Sequence, residues 1–111
     1  LSGGMRKRVG LARAIAMDPA YVLYDEPTTG LDPISSDAIA DLILSLQTRL
    51  KSTSIVVTHD MALAYKVGDR LCLLNQGRIH AVAAKEVFRT LDDEVVQQFI
   101  HGRAKGPIQF L

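Results

Sequence analysis

Three stretches of this 111-residue chain carry side chains that could act on a phosphate or on a water attacking one. The first is the acidic pair Asp25-Glu26, directly after the apolar run Tyr21-Val22-Leu23-Tyr24. Adjacent carboxylates at a strand end can take separate roles, one holding a metal through its water shell and the other polarising an attacking water. Magnesium suits the first role, because it prefers oxygen ligands and keeps several waters beside a phosphate chain. Strand ends also carry acids simply because they meet water, so the pair alone is a short motif open to chance. The second stretch is Ser2-Gly3-Gly4, ahead of a helix-like segment. Ser is a common N-cap, and a glycine-rich helix start is equally an anion site, since free N–H groups and the helix dipole favour phosphate. The third is His59, following Ser54-Ile55-Val56-Val57-Thr58. A lone histidine there is more often a boundary residue than a catalytic one.

The elements that must position these residues follow from periodicity and punctuation. Met5, Val9, Ala12 and Ile15 form the stripe of an amphipathic helix, with Arg6, Lys7 and Arg13 on its other face. Asp18-Pro19 should end it, because the residue before proline is steered away from helical geometry. Tyr21 to Tyr24 has the profile of a strand buried on both faces of a parallel sheet. Asp32-Pro33 reads as an N-cap with proline in the first helical position, and Ile39, Leu42, Ile43, Leu46 and Leu50 continue that helix. Ser54 to Thr58 is β-branched and predicts a second central strand. Asp60 can cap a short helix through Val67. Leu71 to Leu74 and Arg78 to Val82 flank Asn75-Gln76-Gly77, a hairpin signal. Two short helices should follow, Ala84 to Leu91 and, capped by Asp92 or Asp93, Glu94 to His101. Gly102 to Leu111 has the look of a linker or extension. Alternating strands and helices imply an α/β fold with a mostly parallel sheet flanked by helices, and such sheets bind ligands beyond the strands' carboxyl ends, where Asp25, Glu26 and His59 lie.

Composition narrows the class. The length allows one domain or part of one. With 48% hydrophobic and 23% charged residues the chain is an ordinary globular one rather than a disordered one. A net charge of +1 gives no field to hold nucleic acid or an anionic membrane. The single cysteine, Cys72, cannot close an intrachain disulfide, which suits the cytosol, and it reads as a small core hydrophobe in its strand. Tyr21, Tyr24 and Phe88 read as packing residues. No apolar run approaches the ~18 residues of a membrane span.

Taken in order, the motifs resemble the nucleotide-binding subunits of ABC transporters. Leu1-Ser2-Gly3-Gly4-Met5, with Arg8-Val9 and Leu11-Ala12-Arg13-Ala14, is similar to the family signature, with Met5 in place of the usual glutamine. Val22 to Pro27 is similar to Walker B with its catalytic glutamate, Gly30-Leu31-Asp32-Pro33 to the D-loop, and Thr58-His59-Asp60 to the H-loop. No Gly-x-x-x-x-Gly-Lys-Ser/Thr and no Q-loop occur in the chain, and in the family both precede the signature. The resemblance therefore implies the C-terminal portion of a P-loop NTPase of the ABC type: an incomplete domain over 1–91, a C-terminal helix and extension over 92–111, and no activity of the chain by itself.

What the resemblance implies for chemistry is specific. ATP and Mg2+ are the cofactors, and two subunits sandwich two ATP molecules head to tail. Glu26 is the base or water-orienting residue, His59 contacts the γ-phosphate, and Asp25 holds Mg2+ through water. Leu1, Ser2, Gly3 and Gly4 serve the partner's ATP in trans, and Asp32 couples the two sites. The implied partners are a second ATPase subunit in a homodimer and transmembrane permease subunits, with no nucleic acid. The implied location is the cytoplasmic face of the inner membrane, reached only through the permease. Met5, with Val95, Phe99, Ile100, Gly102 and Gly106-Pro107-Ile108, is loosely similar to the Mla-type ATPases of phospholipid or organic-solvent transport. In that group a C-terminal extension reaches the partner ATPase, which Phe99, Ile100, Ile108, Phe110 and Leu111 would line here. The alternatives are an importer ATPase for another small solute, an ABC ATPase outside transport, and a non-catalytic fragment.

Overall fold

The computed structural model of the chain describes residues 2–109, which fall into two compact units, Leu1–Val67 and Gly68–Leu111. In the first unit, helix α1 spans Gly3–Ile15 and starts where Ser2, in an extended conformation, accepts the Met5 N–H on its hydroxyl at 3.1 Å. It ends ahead of Asp18-Pro19, where Asp18 turns to φ +50. The face it buries differs from the one the apolar stripe predicted. Met5 and Val9 are half exposed, at 51% and 49%, whereas Leu11 is buried. The row Lys7, Leu11, Ile15 runs along the inner side, so the neighbours available to α1, rather than its apolar pattern, decide which way it faces.

Strand β1 (Tyr21–Asp25) leads to helix α2 (Pro33–Leu50) and strand β2 (Thr53–Val57). This is a β-α-β crossover whose strands pair in parallel, in the register Tyr21↔Thr53 to Asp25↔Val57. Asp32 caps α2 with Pro33 behind it, as the sequence predicts, and Lys51 closes the helix in left-handed geometry. The core forms on one face of the strand pair, where Val22 and Tyr24 meet Leu11, Ile39, Ala40, Ile43, Leu46 and Leu63. The expectation that β1 is buried on both faces is corrected, because Tyr21, Leu23, Ile55 and Val57 are all more than half exposed. Strand alternation sends them to the side opposite the helices, and nothing among the described residues of this unit covers that side. Helix α3 (Met61–Val67) follows, with the Leu63 N–H on the Asp60 carboxylate at 3.2 Å and Leu63 in the core.

In the second unit, β3 (Arg70–Asn75) and β4 (Arg78–Ala84) make the expected antiparallel hairpin. Both turn residues, Gln76 and Gly77, take positive φ, the two-residue geometry whose twist matches that of a strand pair. The ladder slips between Leu73↔Ala81 and Leu74↔Ile79, which leaves His80 as the extra residue of a bulge. Cys72 is exposed in this hairpin, against the expectation of a core position. Helix α4 is a single turn, Lys85–Phe88, shorter than the sequence predicts, and it buries Phe88. Helix α5 spans Glu94–His101 as expected, capped by Asp93, whose carboxylate accepts the N–H groups of Val95 and Val96. The segment after it is no loose linker within residues 102–109. The Gln98 side chain is buried and donates to the carbonyls of Arg103 and Ile108 at 3.0 and 2.9 Å. It also accepts the Ile108 N–H at 2.7 Å. Phe110 and Leu111 lie outside the described residues. Among the described residues no helix is long and apolar enough to cross a membrane.

Candidate functional site

The parallel register carries the chemistry to one place. Asp25 pairs with Val57 at the carboxyl ends of the two strands, and the Glu26 N–H continues the ladder onto the Val57 carbonyl at 2.7 Å. The next residues on β2's side are Thr58 and His59, so strand pairing alone sets His59 beside Glu26. The His59 Nδ1 lies 3.0 Å from Glu26 Oε1. The other carboxylate oxygen of Glu26 accepts the Thr29 hydroxyl at 3.2 Å.

Glu26 stands at φ +48, left-handed geometry that costs a non-glycine residue about 1–2 kcal/mol. It is held there by bonds to both its backbone groups. The N–H is spent on Val57, and the carbonyl accepts the Thr29 N–H at 3.3 Å and the Lys7 ammonium at 3.1 Å. Strain kept in place by several partners is a common mark of a functional residue. A second knot braces the loop from below. Buried Thr28 donates to Asp60 at 2.9 Å, and the Asp60 N–H rests on the Thr58 hydroxyl at 2.9 Å.

The pair also sets its own charge. The hydrogen bond from His59, aided by the Thr29 hydroxyl, holds the Glu26 carboxyl below the usual glutamate value. The same bond, with the attraction of the carboxylate, raises the imidazole of His59. His59 remains largely exposed, at 73% of its side chain, so its second ring nitrogen is open to a ligand. Asp32 is lowered chiefly by the Ser35 N–H and then by the Ser35 hydroxyl. Both its oxygens are engaged with Ser35, at 2.8 and 2.9 Å, so within this chain it is a helix cap.

The two glycines of α1's start differ. A Cβ on Gly3 would press on Leu31 at 3.2 Å, so Gly3 permits close packing against the segment leading to Asp32. Gly4 has only the Ser2 hydroxyl near that position, at 4.0 Å, which leaves its backbone approachable by an anion. Asp25 ends β1 exposed. No group of three or more His, Cys, Asp or Glu side chains that could hold a metal occurs among the described residues. Asp25 is thus the strand-end carboxylate that could hold a magnesium through its water shell beside a phosphate. Leu1 lies outside the described residues. The sequence pattern missed Lys7, Thr28 and Thr29. Lys7 sat on the supposedly outer face of α1, although its spacing of four from Leu11 was a usable signal.

Sheet order, strand-end acids and Ser-capped glycine helix together define part of an ATP-binding cassette, and comparison with known proteins bears this out. The family described as ABC transporter matches residues 1–29. Over nearly its whole length the chain is similar to ABC transporter ATP-binding proteins. It is 42% identical over 108 residues to a probable ribonucleotide transport ATP-binding protein of Mycobacterium leprae, which covers 97% of this chain and 31% of that protein. It is also 42% identical over 110 residues to the intermembrane phospholipid transport system ATP-binding protein MlaF of Haemophilus influenzae, covering 99% of this chain and 42% of that one. Among solved structures, the ATP-binding cassette MJ0796, dimeric in a post-hydrolysis state with ADP and Pi, superposes with a TM-score of 0.67 at 36% identity. That match covers 77% of this chain and 36% of the other. The chain thus spans about a third to two fifths of the length of the relatives it matches.

Proposed function

We propose that this chain supplies the hydrolytic carboxylate and the signature helix of a transporter ATPase, acting in a dimer of ATP-binding subunits beneath transmembrane permease subunits, on the cytoplasmic face of the membrane. The observation that carries the reading is the Glu26–His59 contact at the ends of paired parallel strands. When bound, ATP with Mg2+ provides the phosphoryl group and neutralises much of its charge. Asp25 would hold the metal through water. Glu26, kept ionised by His59 and Thr29, is a weakened base, so its main work is to orient and polarise the attacking water. His59 donates Nδ1–H to Glu26. Its raised pKa favours the protonated ring, in which the opposite nitrogen is also a donor and suits a γ-phosphate oxygen. Ser2, Gly3 and Gly4 present the start of α1 to the nucleotide of the partner subunit. Asp32, capping α2 next to that start through the Leu31–Gly3 contact, couples the two sites.

For cargo we favour a phospholipid, on the 42% identity to MlaF over 99% of the chain. A ribonucleotide is the second reading, carried by the equal identity to the mycobacterial relative. The test of the catalytic assignment uses the full-length subunit with Glu26→Gln. ATP binding should persist while hydrolysis falls by about 10²-fold or more; steady-state activity equal to that of the unaltered subunit removes the assignment. Reconstituted vesicles carrying labelled phospholipid or labelled ribonucleotide then decide the cargo by which one moves with ATP turnover.

A further inference from the structure

Glu26 needs help to stay where it is. Its φ of +48 is unfavourable for a glutamate, and Pro27 behind it steers residue 26 away from right-handed helical geometry. Four of the bonds that hold it come from its own loop or from the β2 end. The fifth does not, because the Lys7 ammonium reaches the Glu26 carbonyl from α1 at 3.1 Å, 19 positions away in sequence. A carbonyl oxygen has two lone pairs, so this bond and the one from the Thr29 N–H can coexist.

The lysine is well placed to be a fixed point. It is partly buried on the inner row of α1, one turn before buried Leu11. The helix start is pinned one turn earlier, with the Ser2 hydroxyl on the Met5 N–H and Gly3 flush against Leu31. The 3.1 Å bond therefore joins the inner row of α1 directly to the Glu26 peptide.

We propose that Lys7 is a positioning residue for Glu26. Its ammonium fixes the Glu26 peptide, and with it the direction of the carboxylate, and it ties the water-orienting group to the helix that begins at Ser2-Gly3-Gly4. Whatever engages that helix start is thereby felt at Glu26 of the same subunit. The proposal rests on the reading of Glu26 given above.

The experiment compares Lys7→Met and Lys7→Arg in the full-length subunit, with Glu26→Gln alongside. Methionine keeps the length of the stem and removes the donor; arginine keeps a charged donor. Lys7→Met should lower kcat for ATP about 10- to 100-fold with KM changed by no more than about twofold, as expected for misplacing a catalytic group without loss of substrate binding. Lys7→Arg should recover most of that loss. Adding Lys7→Met to Glu26→Gln should slow turnover no further, since the effect runs through Glu26. A Lys7→Met enzyme with unaltered kcat, beside a slow Glu26→Gln, overturns the role of Lys7 and leaves that of Glu26 standing. Unaltered turnover in Glu26→Gln removes both. Loss of ATP binding and of thermal stability in Lys7→Met and Lys7→Arg alike assigns Lys7 a structural role and overturns the proposal as well.

Discussion

The two units of the chain divide polar and apolar labour in opposite ways. In Leu1–Val67 the interior is an apolar cluster from Leu11 to Leu63 beneath one face of the strand pair. At the carboxyl ends of the strands Glu26 pairs with His59 and Thr28 with Asp60, while Gln47 braces the start of β2 through Ser52 and Ser54. In Gly68–Leu111 the apolar interior is smaller, comprising Leu71, Leu73, Phe88 and Val96. There the polar side chains do structural work: Gln98 gathers the backbone of residues 103–108, and Asp93 caps α5 while accepting the bulged His80 at 2.9 Å. A sufficient apolar core leaves polar groups free to be arranged for chemistry. Where the core is small, hydrogen bonds must define the shape, because each buried polar group left unmatched is costly.

That contrast can be broken by experiment. The largest effect is expected from Ile39→Ala in the first unit of the full-length subunit. Ile39 is 1% exposed, and its truncation should cost about 2–5 kcal/mol in urea unfolding, through lost burial and the cavity left behind. A cost below 1 kcal/mol would mean that the first unit is not held by its apolar cluster. Next comes Gln98→Leu, which keeps similar volume while stripping the partners from Ile108 N–H and from the carbonyls of Arg103 and Ile108. The expected loss is about 1–3 kcal/mol, read as faster amide exchange at Ile108 and earlier proteolysis in 103–108. Unchanged exchange there would show that the tail is held by something other than Gln98.

The smallest effect is a pH dependence. The folded-state pKa of Glu26 is lowered and that of His59 raised. The pair's contribution is therefore complete between the ordinary glutamate and histidine values. It fades as pH falls through the lowered Glu26 value and as pH rises through the raised His59 value. NMR titration should give a His59 pKa above about 6.5, returning towards it in Glu26→Gln. Equal values in the two proteins would show that the contact does not persist in solution.

Much of this was legible in the sequence, for identifiable reasons. Asp32-Pro33, Asp93 before Glu94 and Gln76-Gly77 are local signals whose geometry neighbouring residues complete, so the caps and the hairpin turn formed where expected. Asp25, Glu26 and His59 were legible because each follows a strand-like run. What failed depended on partners that local pattern does not specify. The outward stripe of α1, the bare face of β1 and the exposure of Cys72 are set by what stands opposite each element. The bonds from Lys7 to Glu26 and from Thr28 to Asp60 link positions 19 and 32 apart, and no periodicity announces them.

The register between β1 and β2 has a further consequence, in the time order of folding. Glu26 and His59 stand 33 positions apart and meet only once the parallel strands have closed around α2. Helix α2 can begin to form from local contacts alone, whereas the strand pairing must first meet the entropy of closing that long loop. The carboxylate–imidazole contact thus belongs to the late part of the reaction coordinate. A collapsed chain that has its helix but not its strand pairing carries Glu26 and His59 without their contact, so that contact is a gauge of completed topology rather than of helix content.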